Sequence, residues 1–239
     1  MLNKKILAII GARSGSKGLK NKNILKIKNK PLMGWIISSA KKSKYINRVI
    51  FSTDSLKYKR IAEKYGAEVH VIRPSKLAKD TSREIEFINH TLSWLKKNQN
   101  YIPDIVVRLL CTCPFQKSSD IDRIIKKILY DGYNSAVIIS KAKQHPEKAL
   151  KISGIKNKKI VSYINEKGTD VGSSNNRQAY KQAFFRGNVI ACKTSVINKF
   201  KSLTDNRVGY IIIPNKDAID IDDELDFNFT KYLSKSFNI

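Results

Sequence analysis

Short apolar runs recur along this chain, each followed by a longer segment of helical pattern, and that alternation most restricts what it can fold into. The runs Ile6-Leu7-Ala8-Ile9-Ile10, Val49-Ile50-Phe51, Val69-His70-Val71-Ile72, Asp104 to Leu110 and Ser135 to Ile139 read as strands. Strands spaced by helices bury both faces of a sheet, so the expected class is α/β, a three-layer Rossmann-like domain with a mostly parallel sheet. The first helix opens at Pro31, and Ser52-Thr53-Asp54-Ser55 caps a second that carries Ile61, Ala62 and Tyr65 and stops at Gly66. Further helices are expected over about 81–97, 119–130 and 223–233, with later strands at Val189 to Cys192 and Gly209 to Ile213. Residues 142–188 break the rhythm with the polar cluster Gly172 to Arg177 and strand-like pieces at 149–153 and 159–164. A polar excursion inside an α/β domain serves as a lid, a substrate loop or an oligomer contact. No repeat or long linker divides the chain, so one domain over residues 1–239 is expected.

Directly after the first strand comes Gly11-Ala12-Arg13-Ser14-Gly15-Ser16-Lys17-Gly18-Leu19-Lys20-Asn21-Lys22-Asn23. Glycines, hydroxyls and cations at a strand end suit a polyphosphate, because exposed backbone N–H groups and positive side chains face it together. The spacing fits neither the P-loop, which needs Gly-Lys followed by Ser or Thr, nor Gly-x-Gly-x-x-Gly. An ordinary strand-to-helix turn is the alternative.

A second candidate site is Asp220-Ile221-Asp222. In an extended segment residues two apart face the same side, so both carboxylates can meet one hard cation such as magnesium while Ile221 is buried. The other reading has Asp222 or Asp223 capping the last helix. Cys111, Cys113 and Cys192 form no disulfide framework and lack zinc spacing, so buried free thiols are expected. A formal charge of +26 invites a nucleic-acid reading, but the lysines are spread over nearly every element instead of clustering. They read as solvated faces that also steer anionic substrates. The N-terminal lysines and apolar run lack a cleavage pattern, and no stretch approaches the roughly 20 apolar residues of a membrane span. A cytoplasmic protein without membrane attachment is expected.

The loop resembles the N-terminal signature of the acylneuraminate cytidylyltransferases, the CMP-sialic acid synthetases, at Arg13, Ser16, Lys17, Gly18, Lys22 and Asn23. The likeness continues in order through Ser52-Thr53-Asp54, Arg73-Pro74, Asp80-Thr81, Thr112-Cys113-Pro114, His145-Pro146-Glu147-Lys148, Arg177-Gln178 and Asp220-Ile221-Asp222. The resemblance implies a nucleotidyltransferase fold, CTP and an acidic nine-carbon or eight-carbon sugar as substrates, magnesium as cofactor, and a homodimer whose contacts use the excursion. It implies that Arg13, Lys17 and Lys22 meet the phosphates with Ser16, and that Asn23, Arg73 and Ser82 lie at nucleotide positions. Lys148, Arg177, Arg186 and Asn188 fall at sugar-site positions, and Asp220 and Asp222 at the metal. His145 is assigned a structural role.

The chain also departs from the family. Leu110 and Cys111 replace a glutamine and a proline, Gln116 stands for a frequent arginine, Glu84 for a frequent serine, and Asn188-Val189 for Asn-Gly. These changes put N-acetylneuraminate itself in doubt and leave room for a related nine-carbon acid, such as legionaminate or pseudaminate, or for an eight-carbon ulosonate. Two rival functions remain: a GT-A type glycosyltransferase, which also pairs an α/β domain with Asp-x-Asp, and a basic nucleic-acid-binding protein.

Overall fold

The computed structural model describes residues 4–16, 18–154, 159–164 and 181–236. In chain order its strands are β1 (Ile6–Gly11), β2 (Lys26–Ile27), β3 (Lys30–Pro31), β4 (Arg48–Ser52), β5 (Ile105–Leu110), β6 (Ser135–Lys141), β7 (Leu150–Ser153), β8 (Lys159–Ser162), β9 (Phe184–Lys193) and β10 (Val208–Ile212). Its α-helices are α1 (Leu32–Lys41), α2 (Leu56–Lys64), α3 (Glu84–Gln99), α4 (Ser118–Leu129), α5 (Thr194–Phe200) and α6 (Glu224–Ser236).

Six strands form one sheet in the order β10-β6-β9-β5-β1-β4. β1 runs parallel to β4 and β5, and β10 parallel to β6, while β9 is antiparallel to both its neighbours. Successive side chains of a strand face opposite sides. Accordingly Ile6, Ala8 and Ile10 of β1 pack with α1, α2 and α4, and Leu7 and Ile9 pack with α3 and α5. Helices therefore cover both faces, giving the three layers expected.

The expected strand at 69–72 does not form. Only Glu68 bridges Ile50, and the side chains of Glu68 and His70 are committed across the sheet edge to Arg48 and, for His70, to the Trp94 ring. The helix expected from 81 begins at Glu84, because the Ser82 hydroxyl bonds the Lys79 N–H and the Lys76 carbonyl and closes a turn there. Two small elements were not anticipated. One is α5; the other is the β2–β3 hairpin, whose turn residues Lys28 and Asn29 take φ of 46° and 63°, as a type I′ turn requires. Within the excursion β7 and β8 pair antiparallel near the expected positions, but β9 already begins at Phe184. Among the described residues no helix is long and apolar enough to cross a membrane.

Candidate active site

Parallel strands deliver their loops to one sheet edge, and in open α/β sheets that edge is where ligands bind. Here the loops after β1, β4 and β5 meet there, together with the start of the antiparallel β9 and the segment before α6.

The loop after β1 is fixed at its entrance. The Ala12 N–H donates to the Ser52 carbonyl at 3.0 Å, and Ser14 donates through its N–H and hydroxyl to the two oxygens of Asp54 at 2.8 and 3.0 Å. Asn23 is buried and donates to the Arg13 carbonyl at 3.2 Å, so it ties the far end of the loop to its start. Arg13 itself reaches Asp80, 2.5 Å away, and Ser16 lies half-buried farther along. Lys17 lies outside the described residues.

Lys22 and Asp222 bring the two candidate sites together. Their side chains pair at 3.0 Å, and a Cβ on Gly18 would stand 2.7 Å from the Asp222 carbonyl oxygen. Only glycine allows the loop to approach the acidic segment this closely. Ile221 supplies the anchor: it is fully buried with Ile27 and Leu32, and its N–H bonds the Thr112 carbonyl at 3.0 Å.

The capping alternative is resolved by neighbouring residues. Asp223 accepts from the Asp226 N–H at 2.9 Å, while Asp226 accepts in return from the Asp222 and Asp223 N–H groups at 2.9 and 3.3 Å. That reciprocal arrangement is a capping box. It leaves the carboxylates of Asp220 and Asp222 out of the cap. One oxygen of Asp220 is buried without a hydrogen bond among the described residues, and the Asp222 side chain is 77% exposed. No group of three or more metal-ligating side chains occurs among the described residues. Magnesium needs none: it takes one or two carboxylates, with phosphates and water completing its shell. Two hard oxygen donors beside a cationic loop fit that ion.

Beneath the loop, Arg73 is 5% exposed and donates to the Ser52 hydroxyl and carbonyl at 3.1 and 2.6 Å, with its guanidinium over the Phe87 ring. Burial pushes its pKa down to about 10, against the pull of Asp54. The sequence did not reveal how deep this side chain sits. Its bonds tie the end of β4 to the segment that follows Glu68.

Ser82 and Arg186 line one cleft of about 450 Å³ with Glu84 and Ile85. Asp220 lines another, of about 380 Å³, with Lys141, Phe185 and Phe229. Neighbours on β9 thus face different clefts, as strand alternation dictates. Asn188 is half-buried and donates to Cys113 Sγ at 2.9 Å, which fixes the loop after β5. Lys148 is exposed on a short turn, Pro146–Lys148. The two ring nitrogens of His145 meet the Lys181 carbonyl and the Glu147 N–H at 2.9 and 3.3 Å. Arg177 lies outside the described residues. The cysteines are free and buried, and burial pushes the Cys113 and Cys192 thiols up to about 12.

Asp54 and Asp80 carry the resemblance, yet their pairing with Ser14 and Arg13 was not foreseen. Their position after predicted strands, facing a cationic loop, was the available signal. Arg108 was missed as well, although a charge inside the run Ile105 to Leu110 is itself unusual.

A family model described as cytidylyltransferase matches residues 7–211. The chain is 28% identical to post-translational flagellin modification protein B of Campylobacter coli over 98% of its own length and 97% of that protein. It is 27% identical to CMP-N,N'-diacetyllegionaminic acid synthase of Campylobacter jejuni, again over 98% and 97% of the two chains. Among solved structures, CMP:2-keto-3-deoxy-manno-octonic acid synthetase complexed with CTP superposes with a TM-score of 0.69 over 97% of this chain and 99% of that one, at 12% identity. That last likeness concerns the fold.

Proposed function

The chain belongs to the cytidylyltransferase family and is a nucleotidyltransferase, and from that premise we propose that it transfers CMP from CTP to an acidic ulosonic sugar of the sialic, legionaminic or pseudaminic acid type. The observation that carries this reading is the junction of the cationic loop with the acidic segment at Lys22, Gly18 and Asp222. A triphosphate needs cations around it, and a dication needs hard oxygens beside it; both are present at one sheet edge.

In this reaction the anomeric hydroxyl attacks the α-phosphorus in line. The new O–P bond forms as the bond to the β-phosphate oxygen breaks, pyrophosphate leaves, and the hydroxyl proton passes to solvent. The protein contributes positioning and charge stabilisation more than covalent chemistry. Arg13, Lys17 and Lys22 neutralise charge on the departing phosphates, with Ser16 and loop N–H groups adding hydrogen bonds. In the structure Arg13 is held by Asp80 and Lys22 by Asp222, so both cations are already oriented. Asp220 and Asp222 would hold magnesium, which when bound supplies charge stabilisation at the triphosphate. Asn23 and Arg73 shape the nucleotide side and Ser82 borders it. Lys148, Arg177, Arg186 and Asn188 form the sugar side, where a guanidinium suits a planar carboxylate.

A homodimer through the β7–β8 arm belongs to the same reading. Ile152 and Ile160 on this arm are 72% and 54% exposed, an apolar surface that a second copy would cover. Light scattering on the purified protein should return twice the chain mass.

The test offers CTP, magnesium and a panel of ulosonic acids, and follows pyrophosphate. Release that needs both CTP and one of these acids supports the assignment. Release with UTP, ATP or GTP at the same rate, or with no acid present, contradicts it.

A further inference from the structure

β9 does not pair evenly with β6. The register steps from Val137 opposite Ile190 to Ile139 opposite Arg186, so an advance of two residues on β6 spans four on β9. The extra residues form a bulge at Gly187-Asn188-Val189. Gly187 lies against the opposing strand, where a Cβ would sit 3.2 Å from the Ile138 carbonyl oxygen. On the other side the β5–β9 ladder ends at Leu109 opposite Val189, leaving the Asn188 carbonyl beyond the last pair.

Bulges re-aim side chains and leave a backbone group without a ladder partner, and a buried carbonyl needs a donor. Arg108 supplies it. From the middle of β5, and only 2% exposed, its Nη1 donates to the Asn188 carbonyl at 3.0 Å. Its Nε lies 3.4 Å from Glu84 Oε2 at the start of α3 and makes no hydrogen bond among the described residues. Asn188 in turn holds Cys113 at 2.9 Å. One buried guanidinium therefore joins α3, β5, the bulge and the loop after β5.

We propose that Arg108 is a positioning residue whose guanidinium pins the bulge at 187–189 and so aims Arg186 and Asn188 at the acidic sugar. The inference rests on the ulosonic acid reading given above. Stability is a weak reason for this side chain: a guanidinium taken out of water is costly, its partner Glu84 is 44% exposed, and an unbonded buried N–H is a further cost. Without the guanidinium the bulge loses its donor and can relax toward regular pairing, which would set Asn188 in place of Arg186 opposite Ile139 and carry Arg186 two positions along the strand. Glu84, where the family often has serine, is explained by the same contact, as the counter-charge that holds Arg108.

The test compares Arg108→Met, Arg108→Lys and Glu84→Gln in the full chain. In Arg108→Met, amide hydrogen exchange at Asn188 and Val189 should speed up at least tenfold while Leu7 and Val106 keep their protection. The KM for the acidic sugar should rise at least tenfold and that for CTP stay within twofold. Arg108→Lys, which can still donate one hydrogen bond, should fall between wild type and Arg108→Met, and Glu84→Gln should show the same sugar-selective shift in weaker form. If Arg108→Met does not fold, Arg108→Lys is read on the same measures. Unchanged exchange at the bulge overturns the proposal, as does an equal rise in both KM values with a general loss of protection. Failure of the wild type to turn over CTP with any ulosonic acid overturns the sugar assignment instead, and the exchange data still decide whether Arg108 pins the bulge.

Discussion

Gly18→Ala probes the junction between loop and acidic segment with a single methyl group. The added Cβ would lie 2.7 Å from the Asp222 carbonyl oxygen, and ordinary contact begins at 3.4 Å, so the two segments must part by roughly 0.7 Å. The Lys22–Asp222 pair, now at 3.0 Å, would then stretch to roughly 3.7 Å, beyond hydrogen-bond range. Misplacement on the order of 1 Å costs an enzyme about a hundredfold in rate, so kcat should fall roughly ten- to a hundredfold. Gly15→Ala is the control, because no atom of the described residues lies within 4 Å of its Cβ position. The assay is pyrophosphate release across a magnesium titration, with Tm measured on both variants. A Gly18→Ala enzyme at wild-type kcat would refute the claim that this approach assembles the site.

Asp222→Ala should lower kcat by more than about a hundredfold, the scale of losing one electrostatic contact to the transition state, with circular dichroism unchanged; near-normal rates at saturating magnesium would remove Asp222 from the metal site. Arg13→Ala should lower kcat more than it raises the KM for CTP, since phosphate charge is greatest as pyrophosphate leaves. A raised KM at constant kcat would make Arg13 a ground-state contact. Hydrogen bonding from Arg48, opposed by burial, holds the Glu68 carboxyl below its ordinary value of 4.5. A depressed folded pKa gives stability that is complete above 4.5 and lost as pH falls through the folded value. Wild-type Tm should therefore drop more steeply below that pH than the Tm of Arg48→Met; parallel curves would contradict the linkage.

Much of this architecture was legible in the sequence because it follows from periodicity. The apolar runs of β1, β4, β5 and β6 are buried on both faces, and such runs keep their identity in any α/β context. Strand direction is not written in composition, so the antiparallel course of β9 could not be read. At 69–72 the apolar pattern was right about burial at Val69 but not about pairing, because side chains from Arg48 and Trp94 take up the segment. At the site, Lys22 and Asp222 are 200 positions apart, and their resemblance to one family linked them before their geometry did. Arg73 read as lying at a nucleotide position, and the sequence did not show that it is also a buried tie to Ser52, because depth is not written in a motif. Arg108 carries a signal of its own, a charge where the strand should be apolar, whereas Glu84 shows in the sequence only as a departure from the family.

Transfer of CMP to a sugar oxygen can be followed through the fate of that oxygen. An ulosonic acid equilibrated in ¹⁸O-water carries label at its anomeric hydroxyl, and reaction with unlabelled CTP and magnesium in a short pulse gives a product for mass spectrometry. Attack by that hydroxyl on the α-phosphorus predicts a CMP-sugar that retains ¹⁸O in the bridge, with unlabelled pyrophosphate. A CMP-sugar without the label, or hydrolysis of CTP to CMP with no sugar adduct for any acid in the panel, would contradict it.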